Sequence, residues 1–193
     1  MERPRRQRTH PRAAIRCGAE RRGRGQASLD FTFDTQAFFG KYRERSQAQG
    51  AAYYQAFGVA RDDAPGRREA SRQNLRFYGA PHVAMLFLPS FGDDVRVASD
   101  IGMYAQTFLL ALAARGISAV PQTILGYYAD TVREVLGISE ESNLLFGISF
   151  GYADKDATSY SYDVGRAPFT ECATFHEIAH GVEQRTGPTC PGP

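Results

Sequence analysis

A chain of 193 residues with 42% hydrophobic content has material for one ordinary domain with a real core, and little for a second. Its net charge of +2 is unevenly placed: residues 1–25 hold nine arginines against Glu2 and Glu20, a segment of +7 that leaves the remainder at −5. Three cysteines, Cys17, Cys172 and Cys190, none in a CxxC pair, exclude a disulfide framework. The longest apolar run, Phe108–Ala114, falls short of the roughly 18 residues a membrane span requires. No membrane association and a reducing cytoplasm are therefore expected.

Residues 1–28 are arginine, glycine, proline and alanine with almost no large apolar side chain. They cannot bury enough surface to offset their ordering entropy, so they are read as disordered and outside the fold. A basic arm of this kind could contact nucleic acid. The chain has 21 arginines but only Lys41 and Lys155 as lysines, a bias with no reason in phosphate binding, and no nucleic-acid partner is expected. Residues 29–78 are aromatic and polar, with one or two helices predicted within 35–57. A loop follows at 61–66, then a helix to about Leu75, with Asp62 or Asp63 and Pro65 as its start signal.

The apolar run HVAMLFL at 82–88, closed by Pro89, predicts a buried strand. Asp100 can cap the next helix and Gly116 can end it. Ile101, Met103, Tyr104, Phe108, Leu109, Leu110 and Leu112 make that helix apolar nearly all round, which predicts burial in a core or an interface. Gly102 within it suggests a close approach. Ile117–Val120 reads as a brief strand ended by Pro121. Val132, Val135 and Leu136 lie at helical spacing, and Gly137 is the stop. In 144–152 the alternation puts Leu144, Phe146, Ile148 and Phe150 on one face and Leu145, Gly147, Ser149 and Gly151 on the other. Small residues at period two imply that another backbone, a helix or a ligand lies close.

No serine–histidine–aspartate arrangement and no glycine-rich phosphate loop is present. His176-Glu177-Ile178-Ala179-His180 fits H-E-x-x-H, which on a helix can bind zinc with Glu177 as general base. The segment after it offers Glu183 but no further histidine or aspartate, and then Gly187-Pro188 and Pro191-Gly192-Pro193, which cannot extend a helix. No metal site is expected, and a zinc hydrolase stays the least favoured reading. Residues 178–193 read as a disordered tail.

The series RFYGAPHVAMLF, DIGMYAQTFLLALAARG, PQT, VREVLGI, FGISFGYAD and RAPFTECATFHE runs in this order between Asp30 and Glu177. It resembles the C-terminal part of the nitroreductase family, FMN-dependent enzymes that pass hydride from NAD(P)H to nitro groups, quinones and similar small-molecule acceptors. The resemblance implies an α+β fold over 29–177, a mixed sheet flanked by helices, and a homodimer with flavin at its interface. It implies flavin-ring contacts along the backbone of Pro121, Gln122, Thr123 and Ile124, with the Thr123 amide as the donor nearest the ring N5, and Arg166 on the FMN phosphate. A backbone donor there stabilises charge on the reduced ring and orients it, so no side chain need act as a catalytic base. The family's arginine-rich opening strand and its Pro-Ser-x-x-Asn-x-Gln-Pro-Trp stretch have no counterpart, and the chain has no tryptophan. The domain is therefore expected to be incomplete at its N-terminus and a poor flavoprotein. A flavin-free remnant or an interaction protein is the alternative.

Overall fold

The computed structural model describes residues 27–157, 160 and 163–176. The expectations for residues 1–26 and 178–193 lie outside the described residues. The chain divides into two compact units, Met1–Tyr162 and Asp163–Pro193.

In the first unit, a 3-10 turn at Thr35–Ala37 leads into helix α1, Gly40–Ala56, and then α2, Ala64–Arg72. The start of α2 is chemically specified. The Asp63 carboxylate accepts from the Gly66 amide at 2.9 Å, and Pro65 occupies the first turn, where no amide hydrogen is needed. A 3-10 turn at Phe77–Gly79 follows, in which Phe77, Tyr78 and Gly79 all have positive φ.

Three strands form the sheet: β1 (His82–Pro89), β2 (Ser118–Gln122) and β3 (Ser142–Gly151), in the order β1–β3–β2 with both pairings antiparallel. Parallel pairing among the described residues is confined to an isolated bridge between Ser28 and Tyr128. Among the described residues, pairing thus begins at Ser28, the last residue of the segment expected to lie outside the fold.

Helix α3 spans Val95–Ala113 and does not start at Asp100. The polar loop before it supplies its own capping. Asp93 accepts from the Val95 amide at 3.2 Å, and Asp94, at φ 60°, accepts from the Phe91 amide at 3.0 Å. Gly116 does end the helix. At φ +69° it donates to the Ala113 carbonyl at 3.0 Å, while Ile117 donates to Leu112 at 3.0 Å. Helix α4, Ala129–Leu136, stops at Gly137 with φ 67°, as its sequence predicts.

Two clusters pack on the sheet. One joins Leu75, Phe77, Leu125, Ala129, Val132 and Leu144 with Val83, Met85 and Phe87 at its edge. The other joins Leu86, Ala105 and Ile148 with Ile101, Phe108, Leu109 and Phe146. Leu144 and Ile148 therefore sit in different clusters, although strict alternation puts them on one face. The cause is a shift of register: Leu86 pairs with Phe146, but Phe87 pairs with Leu144, so Leu145 bulges and reverses the alternation. Helix α3 buries Ala105 and Leu112 only; Met103, Tyr104 and Leu110 are each about 60% exposed. The burial expected all round this helix holds within the chain for one face. Gly102 has no atom within 4 Å of where a Cβ would stand, so no close approach explains it here.

Candidate functional site

Strand β2 delivers Pro121 and Gln122 into a 3-10 turn, Thr123–Tyr127. Pro121 does not end the strand. It pairs with Ile148 inside β2, which lies at the sheet edge, where a residue without an amide hydrogen is tolerated.

Gln122 is only 2% exposed and its side chain turns inward. Its Nε2 donates to the Asn74 carbonyl at 2.9 Å and to Asn74 Oδ1 at 3.3 Å, and its Oε1 accepts from the buried Ser149 hydroxyl. A carboxamide taken out of water is costly unless bonded, and this one is bonded at both ends. The Gln122 side chain is thereby spent on the protein itself. Thr123, the next residue, is exposed, and Ile124 is half-buried.

The rest of the turn is held by shape. Leu125 is 2% exposed and seats on Gly147, where an added Cβ would come within 2.5 Å of Leu125 Cδ1 and 3.0 Å of Met85 Sδ. Gly126 lies against the β3 backbone, and a Cβ there would be 2.8 Å from the Leu145 carbonyl oxygen. The smooth face of β3 thus receives the 3-10 turn. Of the occupants the sequence left open, protein fills it.

The turn runs directly into α4, whose first residues are tied to the chain's early segment. Ser28 donates to the Tyr127 carbonyl at 2.9 Å and accepts from the Ala129 amide at 3.2 Å. Its hydroxyl accepts from the Asp130 amide at 3.1 Å, doing the work of a cap from outside the helix. Arg133, 10% exposed at its side chain, donates to Asp30 Oδ1 at 2.9 Å, to Asp130 at 2.7 Å and to the Ser142 carbonyl at 3.2 Å. Asp30 also accepts from the Leu144 amide at 2.7 Å. The hydrogen bonds that Arg133 donates to Asp30 raise the guanidinium above its ordinary pKa. Burial raises the neighbouring Tyr128 phenol. Between the early segment and the turn lies a cavity of about 100 Å³ bordered by Leu29, Phe31, Phe33, Thr123, Tyr127 and Leu145.

Arg166 lies in the second unit and is exposed. It follows Gly165, whose φ is +64° and whose amide donates to Asp163 at 2.7 Å; Arg166 itself donates to the Gly165 carbonyl at 2.9 Å. Of HEIAH, His176 is exposed, and Glu177 to His180 fall outside the described residues. Pro121, Gln122, Thr123 and Ile124 are contiguous and belong to the first unit. Sequence reasoning missed Asn74 and Gly126, and it read Ser149 only as a small residue.

The family model for the nitroreductase family matches residues 28–152. The nitroreductase NfnB of Mycolicibacterium smegmatis is 45% identical over 150 residues, which is 78% of this chain and 63% of that protein. The 4-nitrobenzoate reductase of Pseudomonas putida is 31% identical over 128 residues, 65% of this chain and 55% of that one. This chain thus spans less than two thirds of the length of either relative. Among solved structures, the FMN-dependent nitroreductase NfnB from Mycobacterium smegmatis in complex with NADPH is matched with a TM-score of 0.80 and 41% identity. That match covers 88% of this chain and 76% of the other. The FMN and NADPH-dependent nitroreductase NfnB from sphigopyxis sp. strain HMH is matched with a TM-score of 0.81 and 26% identity, over 88% and 77% of the two chains. The sheet, the turn at its edge and these matches agree: the chain belongs to the nitroreductase family.

Proposed function

We propose that this chain is an FMN-binding oxidoreductase that uses NAD(P)H to reduce nitro compounds, quinones or similar acceptors. The observation that carries the reading is Thr123, which is exposed in a turn whose Gln122 and Leu125 are buried. FMN, when bound, supplies two-electron hydride chemistry between the nicotinamide and the acceptor. The donor set fits such a group. Backbone amides of an exposed turn suit the neutral nitrogen and oxygen acceptors of a flat ring, and a guanidinium fork suits a phosphate. A cavity of about 100 Å³ lies beside Thr123.

In this reading the Thr123 backbone orients the ring and stabilises negative charge on it. Pro121 and Gln122 set the direction from which the turn leaves the sheet, and the half-buried Ile124 offers apolar contact. Arg166 holds the phosphate. A homodimer belongs to the same reading, and the exposed Met103, Tyr104 and Leu110 of α3 supply apolar surface for it. No helix among the described residues is long and apolar enough to cross a membrane, and a cytoplasmic location is proposed.

The test is an FMN titration of the purified chain, followed by NAD(P)H oxidation in the presence of a nitroaromatic acceptor. The expected result is saturable but weak binding, with visible flavin absorbance and acceptor-dependent turnover at saturating FMN. Arg166→Ala should weaken FMN binding about tenfold or more, since a charge-assisted hydrogen bond contributes about 1.5–3 kcal/mol. A colourless protein with no flavin affinity would overturn the proposal in favour of a flavin-free binding role.

A further inference from the structure

The buried carboxamide of Gln122 is unusual in its completeness. It sits between the turn that follows α2 and strand β3, and each of its polar atoms has a partner. Nε2 reaches the Asn74 main chain at 2.9 Å and the Asn74 side chain at 3.3 Å; Oε1 takes the Ser149 hydroxyl. Asn74 is itself set in place, since its side chain donates to the Ser71 carbonyl at 3.1 Å. Asn74 also leads into the left-handed run Phe77–Tyr78–Gly79, whose Phe77 is 2% exposed in the cluster beneath the turn.

The alternative way to fill this volume would be an apolar side chain, which would need no bonded partners. What the carboxamide adds is direction. Three bonds from two elements fix both the position and the rotation of Gln122, and hence the heading of the backbone into Thr123. Two further fixings follow within four residues, Leu125 on Gly147 and Gly126 on the Leu145 carbonyl. Thr123 is the exposed residue inside this clamped stretch.

We propose that Asn74, Gln122 and Ser149 form a positioning triad that sets the Thr123 backbone for ligand binding, with Gln122 at its centre. None of the three touches the ligand; they act through the main chain of Thr123. The inference deepens the flavin reading, but its first readout does not depend on flavin.

The experiment uses the full chain and three variants: Gln122→Met, which keeps the volume and removes the bonds, Ser149→Ala, and Ser149→Thr, which keeps the hydroxyl. Amide hydrogen exchange is followed at Thr123–Tyr127 and, as internal reference, in β1 and α4. Gln122→Met should raise exchange at Thr123–Tyr127 about tenfold or more relative to the reference elements, Ser149→Ala less, and Ser149→Thr least. Should Gln122→Met fail to fold, Ser149→Ala against Ser149→Thr carries the same comparison. Exchange in the turn that stays at the wild-type level in a folded variant, or that rises equally throughout, would overturn the triad and leave Gln122 a packing residue. The second readout is FMN affinity, which should fall about tenfold in Gln122→Met with a displaced flavin absorption band. If wild type binds no FMN, the flavin reading fails, while the exchange result still decides the triad.

Discussion

The turn at Gln122–Gly126 and the outer face of α3 make an instructive pair. Both carry apolar residues, and both present part of themselves at the surface: Thr123 in the turn, apolar side chains on the helix. The turn is fixed to the sheet by polar bonds from a buried side chain, a leucine seated on one glycine and a second glycine pressed on a carbonyl. The α3 face, with Met103, Tyr104 and Leu110 exposed and Gly102 in open space, is fixed among the described residues by nothing beyond its own helix. Apolar content alone thus says little about which region is held. Small residues and a satisfied polar group hold the turn.

The largest break is expected one layer below the turn. Asp30→Ala removes the principal carboxylate from Arg133, whose side chain is only 10% exposed, and also frees the Leu144 amide. Stranding a buried charge typically costs 3–5 kcal/mol, and because Asp130 and the Ser142 carbonyl remain as partners, about 3 kcal/mol is expected here. Urea denaturation reads it directly. A loss below about 1 kcal/mol would show that Asp130 alone suffices.

Gly126→Ala comes next. Its Cβ would stand 2.8 Å from the Leu145 carbonyl oxygen, a backbone atom that cannot swing away. Overpacking of this kind costs about 1–3 kcal/mol, and it should displace the turn before it unfolds the domain. A crystal structure of the variant with the turn unmoved would remove Gly126 from the fixing of the site.

The smallest effect has the opposite sign. Gly102→Ala meets no atom within 4 Å, so it should stabilise the isolated chain by about 0.5–1 kcal/mol through helix propensity. Chemical denaturation combined with light scattering sharpens the comparison. A variant that is more stable as a monomer but assembles less would mean that a second copy approaches Gly102.

This contrast also explains what the sequence could show. Elements whose causes are local were legible: β1 from its apolar run, the stops at Gly116 and Gly137, the Asp63–Pro65 start of α2. Features set by a partner strand were not. The Leu145 bulge depends on the pairing of Leu86 and Phe87 with β3, and period-two reading of β3 alone puts Leu144 on the wrong side. Pro121 sits within β2 because that strand is at an edge, which the sequence around it does not encode. The start of α3 lies at Val95, where Asp93 meets the Val95 amide and Asp94 ties back to the Phe91 amide of the loop, and not at Asp100. For the proposed site, the sequence marks the stretch 121–124 through the resemblance alone. The inward turn of Gln122 is not marked, since its partner Asn74 lies 48 residues away.

The central claim is that a clamped turn presents Thr123 to a flavin. The most direct measurement is an FMN titration of isotope-labelled chain, followed through the backbone amide resonances. The account predicts that the Thr123 and Ile124 amides shift in step with flavin occupancy, while those of the outer α3 face at Gly102 and Met103 do not, unless assembly accompanies binding. Saturable binding that leaves Thr123 and Ile124 unmoved would contradict it.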